Sequence, residues 1–218
     1  MSPDATARKY FKNAMLAWYR NNGRHFPWRN KSATQYQKIV SEVLLQRTKA
    51  ETVACHFHSF IKKYPSWKTL ANGTEEELGL FIKPLGLWKR RAPSLLKLAR
   101  DMSKRNGRFP KKRQDIEQLS NVGQYISNAI LLLCHDEPQP LLDVNMARVL
   151  ERYFGPRKLA DIRYDPYLQE LSRKIVACND PVSMNWAILD FSALVCKANN
   201  PSCSICAVSS GCSYYSKT

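Results

Sequence analysis

Four of the chain's seven cysteines fall close together near its C-terminal end: Cys196, Cys203, Cys206 and Cys212, spaced C-x6-C-x2-C-x5-C. Four thiolates this close can surround one compact inorganic centre. Pro201, Gly211 and the small polar residues between them suit a loop folded around such a centre rather than a packed element. A [4Fe–4S] cluster takes four cysteine ligands, and so does one class of structural zinc site. Zinc sites usually pair two short C-x2–4-C knuckles, and only Cys203 and Cys206 form one here, so the spacing leans to iron–sulfur. Two disulfides are the remaining reading, disfavoured in a chain that looks cytosolic.

That compartment is itself an expectation from sequence. Met1-Ser2-Pro3-Asp4 lacks the charged-then-apolar pattern of a secretory signal. No apolar run approaches the roughly 20 residues of a membrane span. Cys55, Cys134 and Cys178 lie in helical patterns and read as buried thiols. The 218 residues suffice for one large domain or two small ones. A net charge of +16 favours a polyanionic partner, nucleic acid above all. Lys89-Arg90-Arg91 and Lys111-Lys112-Arg113 read as phosphate contacts.

Apolar residues recur at intervals of three and four almost throughout, which predicts an all-α protein. Tyr10, Phe11, Leu16 and Tyr19 mark a first helix ending near Gly23, and Ile39, Val40, Val43 and Leu44 a second. Thr48 with Glu51, and Thr74 with Glu77, have the spacing of capping boxes. Pro84-Leu85-Gly86 stops one helix, and a longer one follows through Leu95, Leu96, Leu98, Ala99 and Met102. Three more are expected at about 143–154, 165–178 and 182–195.

Between two of these helices lies Leu119-Ser120-Asn121-Val122-Gly123-Gln124-Tyr125. A tight turn with Asn121 and Gly123 permits positive φ angles and aims a helix N-terminus outward as an anion site. Taken alone it reads better as an ordinary helix–helix connection. Asp143 sits where a later helix should start, a common place for an N-cap aspartate.

These motifs, in this order, resemble the endonuclease III/MutY branch of the helix-hairpin-helix DNA glycosylases. The cysteine spacing matches its cluster loop. Residues 119–123 match its L-P-G-V-G hairpin, with Ser120 and Asn121 replacing proline and the first glycine. Asp143-Val144-Asn145-Met146-Ala147-Arg148-Val149 resembles its D-x-N-x-x-R-V segment. Phe26-Pro27-Trp28-Arg29 and Ser41-Glu42-Val43-Leu44-Leu45-Gln46-Arg47-Thr48 resemble the F-P-W-R and S-E-x-x-L-Q-x-T motifs of the MutY group. The resemblance runs from about residue 10 to the end.

The resemblance implies two helical lobes with the active-site cleft between them. One is a six-helix barrel over 26–135 that contains the hairpin. The other joins 1–25 to 136–218 and holds a [4Fe–4S] cluster on Cys196, Cys203, Cys206 and Cys212. The cleft would take a flipped nucleotide. Asp143, kept ionised by its helix dipole, would stabilise an oxocarbenium-like sugar with help from Asn145. Glu42 would contact the base; without the motif it reads as a solvated helix-face glutamate. Tyr125 would pack near sugar or base, or else in the core. Gln46 and Trp88 are candidates to fill the gap in the duplex, although Trp88 also reads as core. Asn121, Gly123, Gln124 and Lys197 would meet phosphates.

Bifunctional members carry a lysine two residues after the hairpin glycine, which forms a Schiff base and permits strand cleavage. Here the position is Tyr125, so little lyase activity is expected. The resemblance gives tyrosine there to the archaeal thymine–guanine mismatch glycosylases of the MIG type and to some adenine glycosylases. The end of the chain soon after Cys212, and Cys212-Ser213-Tyr214-Tyr215, resemble the MIG type. The expectation is a monomeric, monofunctional glycosylase of base excision repair. It would remove thymine or uracil opposite guanine from double-stranded DNA carrying a mismatch or lesion, in a prokaryotic cytoplasm. An adenine glycosylase acting opposite guanine or 8-oxoguanine is the alternative, and Gln46 is more MutY-like. A non-enzymatic iron–sulfur protein that binds distorted DNA, or an iron–sulfur redox protein, are the other classes. Glu42 with Asp143 argues against the first, and the lack of a second cofactor motif against the second.

Overall fold

The computed structural model describes residues 4–217, with the Lys217 side chain left aside. The described residues form eleven α-helices and no strand. None of these helices is long and apolar enough to cross a membrane. The chain divides into two compact units, one running His25–Asp136, the other joining the segment through Arg24 to Glu137 and beyond.

The central unit holds α2 (Gln35–Leu45), α3 (Ala50–Lys63), α4 (Trp67–Ala71), α5 (Glu75–Ile82), α6 (Trp88–Lys104), α7 (Arg113–Glu117) and α8 (Gln124–Cys134). Helix α6 packs on α4 and α5, and α2 packs on α3 and α8. Ile39, Val40, Leu44, Phe60, Leu78, Leu95, Leu96, Met102 and Ile130 are among its buried side chains, the faces that the three-and-four spacing marks out. Thr74 caps α5 by accepting from the Glu77 N–H at 3.1 Å, as its sequence setting suggests. Thr48 does not cap α3, whose N-cap is Lys49. Its hydroxyl donates instead to the Leu85 carbonyl at 2.8 Å, a tertiary partner that outcompetes the local cap. The capping box that does form is Thr34 with Gln37, at the head of α2.

The other unit holds α1 (Ala5–Asn22), α9 (Val144–Phe154), α10 (Pro166–Val176) and α11 (Pro181–Leu194). Its core gathers Phe11, Met15, Met146, Leu150, Leu168, Ile175, Met184, Ile188 and Phe191. Tyr10 turns out of this core, exposed with its hydroxyl 3.1 Å from Ser210 Oγ. Asp143, Asp165 and Asp180 cap the last three helices, and Pro166 and Pro181 occupy the first turn of α10 and α11. Asp190 is fully buried and accepts from the Arg24 backbone N–H and Nε, each at 2.8 Å. That pair pins the chain where it leaves α1.

The isolated cysteines differ from expectation in part. Cys55 is exposed, because α3 turns Val53 and Phe57 inward and so points the residue between them outward. Cys134 is half-buried, and burial pushes its thiol up to about 12. Cys178 is half-buried as well.

Candidate active site and cysteine loop

In the central unit, Glu42 is 4% exposed and not a solvated helix-face residue. The Tyr125 hydroxyl, from the first turn of α8, donates to Glu42 Oε2 at 2.9 Å. Packing of α2 on α8 brings these two residues together. A buried carboxylate held by a phenol is an oriented acceptor, suited to a donor group on a base.

Just before α8, the 118–123 turn is tied to α6. The Ser120 N–H donates to Asp101 Oδ2 at 2.8 Å. Asn121 exchanges side-chain bonds with Ser94, accepting from its hydroxyl and donating to its carbonyl. Only Asn121 takes the left-handed conformation, at φ 60. Gly123 is at φ −93, so it is not kept for a positive φ. A Cβ on it would meet nothing within 4 Å. Its bareness therefore leaves open space over the start of α8, which has no side-chain cap. Asn121 and Gly123 are exposed and Gln124 is half-buried.

Gln46 is exposed at the end of α2. Trp88 is half-buried, packed so closely on α5 that a Cβ on Gly79 would lie 3.0 Å from its ring. The residue before it is the exposed one. Leu87 is 50% exposed at φ 51, unusual for a non-glycine residue, and sequence reasoning missed it. The basic run beside it splits. Lys89 and Arg90 are exposed, whereas Arg91 is 6% exposed and is no phosphate contact. Lys111 and Lys112 are exposed, and Arg113 bonds Asn128 and Glu117.

In the other unit, Asp143 is half-buried at the N-terminus of α9. Its Oδ1 accepts from the Asn145 and Met146 N–H groups at 2.9 and 2.8 Å. Its Oδ2 accepts from Asn145 Nδ2 at 2.7 Å. Two residues upstream, the Leu141 N–H donates to buried Asn185 Oδ1 at 2.6 Å, which fixes the chain entering the cap. Burial pushes the Asp143 carboxyl above the usual carboxylate range. Hydrogen bonds from Met146 and Asn145 and the charge of Arg148 pull it down without overcoming burial. Burial therefore acts on this carboxyl against the helix dipole. Arg148 NH1 reaches Asn145 Oδ1 at 3.1 Å, and its Nε donates to the Cys196 carbonyl at 3.0 Å.

Cys196, Cys203, Cys206 and Cys212 line one cavity, and none is in a disulfide. Among the described residues, no group of three or more His, Cys, Asp or Glu side chains is arranged to hold a single metal ion. The loop closes on the end of α9, where the Ser213 and Tyr214 N–H groups donate to the carbonyls of Tyr153 and Arg152. Arg152 donates to Cys196 Sγ at 3.4 Å and to the Lys197 and Ala198 carbonyls. Gly211 lies so close to the Tyr153 hydroxyl that any side chain there would collide with it. Burial and the neighbouring sulfurs push the Cys203 thiol up. Four thiolates on one cavity would repel one another unless a cationic group sat among them, so the donor set fits a group with four thiolate ligands. Lys197 is exposed beside it.

A family model described as the HhH-GPD superfamily base excision DNA repair protein matches residues 40–165. The chain belongs to this superfamily. Its match spans Glu42, the 118–123 turn, Tyr125 and Asp143. Within the HhH-GPD superfamily, the chain is 34% identical to a thymine-DNA glycosylase of Aeropyrum pernix, over 94% of this chain and 93% of that one. It is 35% identical to a thymine/uracil-DNA glycosylase of Pyrobaculum aerophilum, over 95% and 92%. A solved thermostable thymine-DNA glycosylase superposes with a TM-score of 0.89 at 33% identity, covering 99% of this chain and all of that one. The all-α HhH-GPD fold expected from the sequence is the fold found.

Proposed function

We propose that the chain is a monofunctional DNA glycosylase that excises thymine or uracil, opposite guanine, from duplex DNA. The observation that carries this is its end-to-end likeness to proteins named for thymine and thymine/uracil removal, at 34 and 35% identity. In the reaction the C1′–N1 bond of the nucleotide breaks, a water oxygen bonds to C1′, and a water proton ends on the base. Asp143, fixed by three N–H donors, would face the positive charge developing on the sugar, and Asn145 would hold its second oxygen. Glu42, oriented by Tyr125, would accept the imide N–H of thymine or uracil. Tyr125 offers a phenol where a lyase needs an amine, so the product would be an intact abasic strand.

Asn121, Gly123 and Gln124 would present the open start of α8 to a phosphate. Gln46 would enter the duplex, while Trp88 serves packing. Cys196, Cys203, Cys206 and Cys212 would hold a [4Fe–4S] cluster whose part is to fix the loop that carries Lys197. Single-turnover excision assays on duplexes with defined pairs test the reading. Release of thymine and uracil opposite guanine supports it, and release of adenine alone favours the adenine alternative.

A further inference from the structure

Arg91 is a buried cation in an unusual setting. Among the described residues no carboxylate pairs with it, and its partners are all neutral oxygens. NH2 donates to the Gln46 carbonyl at 2.6 Å and to Thr48 Oγ1 at 3.0 Å. NH1 donates to the Leu85 carbonyl at 3.2 Å. Thr48 closes the set by donating to the same Leu85 carbonyl at 2.8 Å. Desolvating a guanidinium without a counter-ion is expensive, and an apolar residue would fill the space at less cost. What the arginine does is tie the turn after α2 to the turn before α6.

Each tied turn holds a non-glycine residue in the left-handed region within two residues of an anchor. Arg47, at φ 57, lies between Gln46 and Thr48. Leu87, at φ 51, lies two residues after Leu85. Such conformations are strained and persist where the surroundings over-determine them. The side chains they carry, with Gln46, are exposed. An exposed leucine beside a glutamine and an arginine, on turns locked from beneath, has the chemistry of a probe that enters a base stack from one side.

Resting on the glycosylase reading, we propose that Arg91, together with Thr48, is a positioning residue that pre-forms a two-turn probe made of Gln46, Arg47 and Leu87. The probe takes the place of the base leaving the duplex. Holding it rigid beforehand lowers the ordering cost when extrusion occurs.

The test compares Arg91→Met and Thr48→Val with the unmodified protein on two duplexes, uracil opposite guanine and uracil opposite an abasic-site analogue. The second duplex has no pair to break, so it depends less on the probe. The reported quantity is the ratio of the two single-turnover rates, with folding checked by circular dichroism. The proposal expects that ratio to drop roughly tenfold for Arg91→Met and by a few-fold for Thr48→Val, the size of effect expected when extrusion is impaired. Leu87→Ala should lower it too, and adding Arg91→Met to Leu87→Ala should lower it little further. An unchanged ratio in folded variants, with both rates falling together or neither falling, overturns the proposal. If Arg91→Met does not fold, an unchanged ratio for Thr48→Val overturns it alone. Absence of uracil release from either duplex by the unmodified protein would instead refute the glycosylase reading.

Discussion

The Tyr125 hydroxyl holds Glu42 Oε2 at 2.9 Å, joining two residues 83 positions apart across the packing of α2 on α8. Tyr125→Phe removes this donor and keeps the ring. A hydrogen bond to a charged group contributes about 1.5–3 kcal/mol, so the variant should melt earlier and excise more slowly, with DNA affinity less affected. Thermal melting and single-turnover rates check this. Tyr125→Lys puts an amine in the same place and should add a borohydride-trappable complex that the natural protein lacks. Trapping at the natural protein's level would argue against this position controlling lyase chemistry.

Asp143 yields a prediction with two signs. Asp143→Asn keeps the cap, since both residues cap helices well, and should lower excision at least roughly a hundredfold, the scale of one positioned electrostatic group. Burial raises the carboxyl above its ordinary 3.8. A carboxyl raised on folding supports the folded state fully below its unfolded pKa. That support is lost as pH rises through the unfolded value to the folded one. At neutral pH the asparagine variant should therefore melt no lower than the natural protein. The acid limb of the excision rate should lie above 3.8. Near-normal excision by the variant would reduce Asp143 to a helix cap.

The cysteine loop makes a compositional prediction. Aerobically purified protein should be yellow-brown, absorb broadly near about 400 nm and carry about four irons per chain. Cys203→Ser should lose iron and destabilise the loop that closes on Tyr153 and Arg152. Stoichiometric zinc without iron in the natural protein would contradict the cluster.

DNA affinity should fall steeply with salt, with a log–log slope of about −0.9 for each phosphate neutralised. Lys89→Ala and Lys112→Ala should each make the slope shallower by about one contact. A slope near zero would show that the +16 charge is no DNA surface.

What sequence made legible was mostly local. Asp143 reads as the cap that starts α9, and the starts expected near 165 and 182 fall where Asp165 with Pro166 and Asp180 with Pro181 open α10 and α11, because a cap and a first-turn proline act within a few residues. The cysteine spacing likewise brings four thiols to one cavity. Partners distant in sequence were not legible. Glu42 looks solvated until α8 delivers Tyr125 to it. Arg91 sits in a basic run and reads as a phosphate contact, yet its acceptors lie 6, 43 and 45 positions away. Thr48 looks like a cap for the same reason. Leu87 gave no signal, because a left-handed conformation is not foreseeable at a leucine.

The most direct test of the account is single-turnover excision on four matched duplexes, carrying T:G, U:G, A:G and A:8-oxoguanine, with products resolved before and after alkali. The account predicts release from T:G and U:G, with strand breaks only after alkali. Efficient release of adenine with none of thymine or uracil would contradict it.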